Sequence, residues 1–288
     1  MLSRRILLVI AVLLISTLAC SVSVDLNEDE LKVGKTVTEE IRVERLTGGE
    51  TANVNLEFGA GELKIDPRSP DALVEGVATY NVSELKPKIT LAGSDVTIRT
   101  GDLEFKGIPR FKGEYKNQWE LKLGSDPIRL SIQGGAYRGE MELGGLYLVY
   151  LRVADGAADV ELKFSQPNLG EMELFRYDTG ASSVELIGLA NANFAEMNFK
   201  GGAGSYVLDF SGELKRDATV SVDAGLSNVR IVVPEGVSAR VLVDRGLANV
   251  DIDSGWEKSG NDYTHAGVGP RLTINVNIGA GNLELRSR

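Results

Sequence analysis

The chain has 288 residues with 41 acidic and 31 basic side chains, a formal net charge of −10, one cysteine, one histidine, 6% aromatic residues and 33 glycines. An acidic surface of this size argues against nucleic acid as a partner, because that binding is dominated by cations placed on phosphates. It argues equally against a polybasic patch for membrane surfaces, while one histidine and one cysteine leave little for a zinc site or a disulfide.

The first element is an address. Arg4 and Arg5 form a positive start, Ile6 to Ile15 is an unbroken apolar run, and Ser16-Thr17-Leu18-Ala19 leads to Cys20, the layout of a bacterial secretory signal. The run is shorter than the roughly 20 apolar residues a spanning helix needs. Cys20 directly after Leu18-Ala19 resembles the lipobox cleaved by lipoprotein signal peptidase, in a relaxed form with Thr17 where leucine is commoner. The resemblance implies that residues 1–19 are removed and Cys20 is lipidated as the first mature residue. The alternative is a stray cysteine within an ordinary signal peptide. Removing residues 1–19 takes away Arg4 and Arg5 and leaves a net charge near −12. Each buried lipid CH₂ contributes about 0.8 kcal/mol, so several acyl chains anchor stably.

Residues 20–35 are short, polar and acidic and read as a tether. From Glu39 the chain alternates through Ile41, Val43 and Leu46, crosses Thr47-Gly48-Gly49, and alternates again through Ala52, Val54, Leu56 and Phe58, a hairpin-like pair of strands. The segment GAGELKI at 59–65 follows, then less regular strands at 74–80, 87–91 and 95–98 and a polar break from Lys106 to Asn117. The break divides an N-terminal β region, 36–117, from a C-terminal repeat domain, 118–288.

The repeat domain carries one motif again and again, a glycine followed after three residues by an alternating apolar pair. It reads GAADVEL at 156–162, GASSVEL at 180–186, GAGSYVL at 202–208, GLSNVRI at 225–231, GLANVDI at 246–252 and GAGNLEL at 279–285. The glycines step by 24, 22, 23 and 21 residues, then by 33 across an insertion. A period near 22 that survives small slips marks stacked supersecondary units. A second alternating strand precedes each glycine, as at 194–199, 219–222, 239–243 and 272–276. The expected fold is therefore all-β: a single-stranded β-solenoid of two-strand coils stacked in chain order roughly 4.8 Å apart. On this reading each glycine supplies a backbone conformation that other residues avoid, and Val184, Val229 and Val250 stack in one interior column.

Candidate sites are few. The residue between each apolar pair points outward, giving Glu161, Glu185, Val207, Arg230, Asp251 and Glu284. Paired carboxylates can hydrolyse glycosides, but this run mixes signs and reads as a solvated face. Asp178, Asp223 and Asp244 lie two residues before their glycines, with Asn277 in the same place and Ala154 and Lys200 interrupting the series. Repetitive Gly/Asp turns bind calcium in some β-rolls; the nonapeptide rhythm is missing, and aspartate also caps turns on its own account. No metal and no cofactor is expected. His265 lies in the polar insertion 256–270 with Trp256 and Tyr263, and these three form either a small recognition loop or a cover for the end of the solenoid.

Two groups of segments carry a family resemblance. EIRVERLTGGETA at 40–52 and LEFGAGEL at 56–63 resemble the N-terminal region of bacterial toast-rack proteins, and DTGASSV at 178–184, GLANANF at 188–194 and LDFSGEL at 208–214 resemble the repetitive part that follows. The repeat style is also similar to adhesin-type domains and to the C-terminal domain of LiaF-like envelope-stress regulators. The resemblance implies a β-helical envelope protein without catalytic residues. The leading expectation is a lipid-anchored protein on the extracytoplasmic side of the bacterial envelope that binds or scaffolds, with the membrane, a cell-wall polymer or an envelope protein as partner and no nucleic acid. An envelope-stress regulatory partner and a polysaccharide-active enzyme are the alternatives.

Overall fold

The computed structural model describes residues 30–101, 110–112 and 114–288. The signal segment, Cys20 and most of the tether lie outside the described residues. Seventeen strands occur in chain order: β1 (Glu30–Lys32), β2 (Val37–Glu44), β3 (Ala52–Pro67), β4 (Ala72–Tyr80), β5 (Pro87–Ala92), β6 (Asp95–Thr100), β7 (Arg110–Lys112), β8 (Asn117–Leu123), β9 (Pro127–Glu142), β10 (Tyr147–Lys163), β11 (Met172–Ile187), β12 (Phe194–Asp209), β13 (Ala218–Val233), β14 (Gly236–Ile252), β15 (Trp256–Ser259), β16 (Asp262–His265) and β17 (Gly267–Ser287). The described residues contain no α-helix, only two single 3₁₀ turns. One unit holds β1 and β7, paired in parallel; the other comprises Val33–Leu103 and Tyr115–Arg288. The rest of this description concerns the second unit.

The all-β solenoid expected from the period is present. Its coils are simpler than a pair of strands joined by a turn. From β9 to β14 each coil is one long strand bent at its repeat glycine, and the parallel ladder continues on both sides of the bend, with only the glycine unpaired between β11, β12 and β13 and a gap of three residues, Gly156 to Ala158, between β10 and β11. Period-2 alternation then places one apolar set per arm inside. Phe175, Tyr177, Val184 and Leu186 of β11 meet Met197, Phe199, Tyr206 and Leu208 of β12, and all eight side chains are fully buried. Loops close the coils on the third side, tied across by asparagines. The buried Asn168 accepts from the Leu148 amide and donates to the Leu148 carbonyl, both at 2.8 Å, and Asn191 donates to the Phe164 carbonyl at 2.9 Å.

The coils are not stacked in chain order. β17, the last strand, lies between β13 and β14. Val229 therefore pairs with Leu283, and Leu283 with Val250, so the expected column of Val184, Val229 and Val250 is interrupted by the C-terminal strand. The reason is local: the insertion at 253–266 turns back as the β15–β16 hairpin, with β16 antiparallel to β14 along Ala239–Leu242. That occupies the outer side of β14, and the chain re-enters on its inner side.

The ladder also crosses the position of the expected boundary near residue 117. Both arms of β3 pair in parallel with β9, and β8 pairs with β3 and β4. Beyond β3 the regular coil is replaced by two separate strands, β6 on its first arm and β8 on its second. β4 and β2 then add antiparallel to β8, and β5 adds antiparallel to β6.

The repeat glycines serve a different purpose from the one expected. None of those at 156, 180, 202, 225, 246 or 279 has a left-handed backbone. They are needed for space. A Cβ on Gly202 would lie 2.5 Å from the Gly180 carbonyl oxygen, one on Gly225 would lie 2.6 Å from that of Gly202, and one on Gly246 would lie 2.5 Å from that of Gly279. At these corners and at Gly180 the chain rests on the backbone of the adjoining coil, which only a residue without a side chain allows, while at Gly156 and Gly279 the fit is looser, at 3.0 and 3.1 Å. Gly135 belongs to the same column, 2.6 Å on the same measure from the Gly59 carbonyl oxygen. That coil departs from the repeat motif because Gly139 stands where the first apolar residue should be. The left-handed glycines sit two residues later, as at Gly61 (φ +129°) and Gly281 (φ +124°).

Candidate functional site

Just inside the corner the coils carry a polar cluster that the motif did not announce. Asp155 of β10 and Thr179 of β11 are partners in the ladder and both point inward. The Asp155 carboxylate accepts hydrogen bonds from Tyr177 at 2.8 Å, from Thr179, and from Ser182 at 3.3 Å. Ser182 in turn accepts from the Ala158 amide at 2.9 Å. Tyr137 of β9 and Tyr206 of β12 complete the cluster from either side, each accommodated by glycines of its own coil. The Tyr137 ring fills the space a Cβ would need at Gly134 and Gly139, and the Tyr206 ring does the same at Gly201, while at Gly204 that space is taken by the Ser182 carbonyl oxygen.

Electrostatics keep these phenols neutral. Burial, and then the Asp155 charge, push the pKa of Tyr137 and Tyr206 above the ordinary phenol value. Tyr177 is raised well above it by burial, then by Tyr137 and Asp155. The hydroxyls of Tyr137 and Tyr206 are buried without an aligned hydrogen-bond partner among the described residues. This carboxylate is committed to three donors, so the cluster clamps β10 to β11 within the stack.

Outside, the first arms form a polar face in strict register. One column runs Gln133, Ala154, Asp178, Lys200, Asp223, Asn277 and Asp244. Two shallow grooves of about 370 Å³ each lie along it. One is bordered by Gln133, Asp155, Asp178, Thr179 and Lys200, the other by Ser221, Asp223, Asp244, Asn261 and Asn275. The intercalated β17 makes Asn277 the direct neighbour of Asp223 and Asp244, and its side-chain nitrogen faces Asp223 at 3.4 Å. The described residues contain no group of three His, Cys, Asp or Glu side chains placed to hold a metal.

On the second arms the outward series Glu161, Glu185, Val207, Arg230, Glu284, Asp251 is in register as expected, apart from the exchange of its last two members. Glu140 extends it at the β9 end, again through the coil the motif missed. Basic side chains answer several of these acids: Lys163 meets Glu161 at 2.6 Å, Arg230 meets Glu284 at 2.9 Å, and Arg286 meets Asp251 at 2.6 Å. The hydrogen bond from Arg230 holds Glu284 below the usual carboxylate range. The column is thus a charge-paired, solvated face.

Trp256, Tyr263 and His265 do not form an exposed recognition loop. Their relative exposures are 5%, 1% and 5%, because they lie on the β15–β16 hairpin and plug the end of the interior. The His265 ring packs on Trp256 with centroids 5.2 Å apart, its Nδ1 lies 2.8 Å from the Val237 carbonyl oxygen and its Nε2 lies 2.9 Å from Ser287 Oγ. Buried rings with the imidazole's two nitrogens satisfied suit an end cap, although the Trp256 Nε1 is buried without a hydrogen-bond partner among the described residues. Cys20 lies outside the described residues, among which no helix is long and apolar enough to cross a membrane.

Residues 28–187 match the family described as the N-terminal domain of toast_rack, DUF2154. The chain belongs to the toast-rack family. Its coil stack is also similar to solved structures. One is a cell-adhesion candidate from Clostridium sporogenes, 18% identical at TM-score 0.47 over 88% of this chain and 100% of that one. Another is an adhesin candidate from Bacteroides fragilis, 8% identical at TM-score 0.38 over 88% and 99%. A third is a lipid-binding candidate from Parabacteroides distasonis, 10% identical at TM-score 0.35 over 90% and 99%. No curated protein matches the chain.

Proposed function

We propose that this toast-rack protein is exported, anchored in the bacterial envelope through lipid on Cys20, and uses its coil stack as a rigid acidic surface for binding or scaffolding rather than for turnover. The observation that carries the reading is the unbroken register from Gln133 to Asp244, which, apart from Ala154, holds polar side chains at fixed spacing along one face. Such a face suits an extended envelope polymer or protein, which can make the same contact at successive coils. The lead into Cys20 supplies the address. The charge-paired outward carboxylates and the fully engaged Asp155 favour binding over hydrolysis.

The test is co-sedimentation of the lipidated protein with purified cell-wall polymer and with native envelope membranes. Retention on one of them without release of soluble fragments supports the reading. Release of reducing sugar that disappears in Glu161→Gln or Glu185→Gln would establish an enzyme instead. For the anchor, Cys20→Ser should abolish fatty-acid labelling and either block processing or release the protein, and membrane retention of a correctly processed Ser variant would overturn it.

A further inference from the structure

The first and last strands of the main sheet are finished differently. At the N-terminal end the outermost strand, β2, is guarded by charge: Arg42 pairs with Glu44 at 2.7 Å and Glu75 at 3.1 Å, and Glu40 adds to the same field. Charged side chains on an edge are a common defence against further pairing. At the other end β16 covers β14 along Ala239–Leu242, and the Val243 amide still reaches the Asn261 carbonyl at 2.9 Å. Past that point, among the described residues, β14 is paired on one side only, with β17. The open edge reads Leu247-Ala248-Asn249-Val250-Asp251-Ile252. It bears one charge, and Arg286 of the same molecule holds it.

This edge carries the side chains of an interior coil. Val250 and Ile252 repeat the positions of Val229, Leu283, Ile231 and Leu285, which are at most 1% exposed, yet both are only partly buried. Leu247 beside them is 88% exposed. One further strand would complete their burial.

We propose that the second arm of β14 is a docking edge for a second copy of this chain, joined antiparallel about a two-fold axis at Val250. A two-fold contact pairs a patch with itself, and residues directly opposite must share a face. That leaves few registers. Centring on Asp251 sets carboxylate against carboxylate. Centring on Asn249 sets Leu247 against Asp251. Centring on Val250 pairs Val250 with itself and Ala248 with Ile252, a small residue with a large one. It also places each Asn249 amide opposite the partner's Asp251, so that an amide donor meets a carboxylate twice and no like charges face. The two interiors then continue into each other across the new ladder. The contact is short for a stable interface, so the dimer forms at high protein concentration, about 100 µM, or where chains are held side by side.

The experiment uses the full chain carrying Cys20→Ser, which removes its only natural cysteine, with single cysteines added and mild oxidation applied. Val250→Cys should give a disulfide-linked dimer, because directly opposed Cβ atoms approach to about 5 Å, whereas Asn249→Cys should cross-link several-fold less, its copies being diagonal at about 7–8 Å. Sedimentation equilibrium of the Cys20→Ser protein should show mass rising from monomer towards twice that value with concentration, and Val250→Lys should hold it at monomer. An unchanged unfolding midpoint for Leu247→Lys with a weakened dimer separates loss of docking from loss of fold. A monomer at every concentration, or equal cross-linking from Val37→Cys on the β2 edge, would overturn the proposal.

Discussion

β3 and β14 are the first and last full coils of the stack and carry the same kind of motif, but their surroundings differ. β3 is covered on its first arm by β6 and on its second by β8, with a gap at the corner, so that a Cβ on Gly59 would meet nothing within 4 Å. β14 is covered at the corner by β17, and its glycine is as tight as those of the middle coils. Its apolar pair, however, lacks an outer neighbour among the described residues. The requirement at each position is therefore set by the adjoining coil and not by the motif itself. Two identical letters in the repeat can be indispensable in one coil and replaceable in another.

The largest expected effect separates a middle coil from the last one. Val229→Asp would bury a carboxylate among β12, β13 and β17 with no partner, costing several kcal/mol, about 3–5. Val250→Asp, at the partly open edge, should cost about 1–2 kcal/mol because the carboxylate can reach water. Urea midpoints measure the difference, and equal losses would mean that the second arm of β14 is as enclosed as that of β13.

Next comes the polar clamp of the middle coils. Tyr137, Tyr177 and Tyr206 have folded pKa values raised above those of the unfolded chain, so the native state retains protons that the unfolded state gives up. Their contribution is fully present below about pH 10, the ordinary phenol value, and is lost as pH rises above it. Tyr115, donating to the Ala60 carbonyl at 2.6 Å and pushed up to about 12 by burial, acts in the same direction. Phenolate absorbance should therefore appear together with the loss of near-ultraviolet circular dichroism. Phenolates forming near pH 10 in a folded protein would show that the cluster is open.

The cap should matter less. His265→Ala removes contacts to Val237 and Ser287 from the end of the interior and should cost about 1–3 kcal/mol, with the midpoint lowered but the middle coils intact by hydrogen exchange. The smallest effect belongs to Arg230→Asp. Its pair with Glu284 is exposed, and such pairs contribute about 0–1 kcal/mol.

The period of the glycines and the alternation around them were enough to place the all-β solenoid and to assign inward and outward positions correctly, since both follow from backbone geometry. The position of β17 was not legible, because the repeat records that a coil exists and not which coil it lies against; only the 33-residue step hinted at a detour. The Gly135 coil was hidden by Gly139, whose missing side chain is supplied by the Tyr137 ring. The Asp155 cluster was equally invisible, as it joins residues from four strands and the motif leaves its corner positions unspecified. The polar segment of Trp256, Tyr263 and His265 left a recognition loop and a cover for the end of the solenoid both open, yet the alternation of these three with polar neighbours is that of a hairpin with one buried face.

The most direct test of the glycine column is the pair Gly202→Ala and Gly59→Ala, compared by thermal unfolding. Both remove one hydrogen atom and add one methyl group in the same motif. At Gly202 the methyl meets the Gly180 carbonyl 2.5 Å away, backbone against backbone, with no flexible side chain to yield; at Gly59 it enters open space. The stacked corner predicts a large fall in midpoint for Gly202→Ala. It predicts no fall for Gly59→Ala, with a gain of up to about 1 kcal/mol from the stiffer unfolded chain. Equal shifts in the two variants would contradict it.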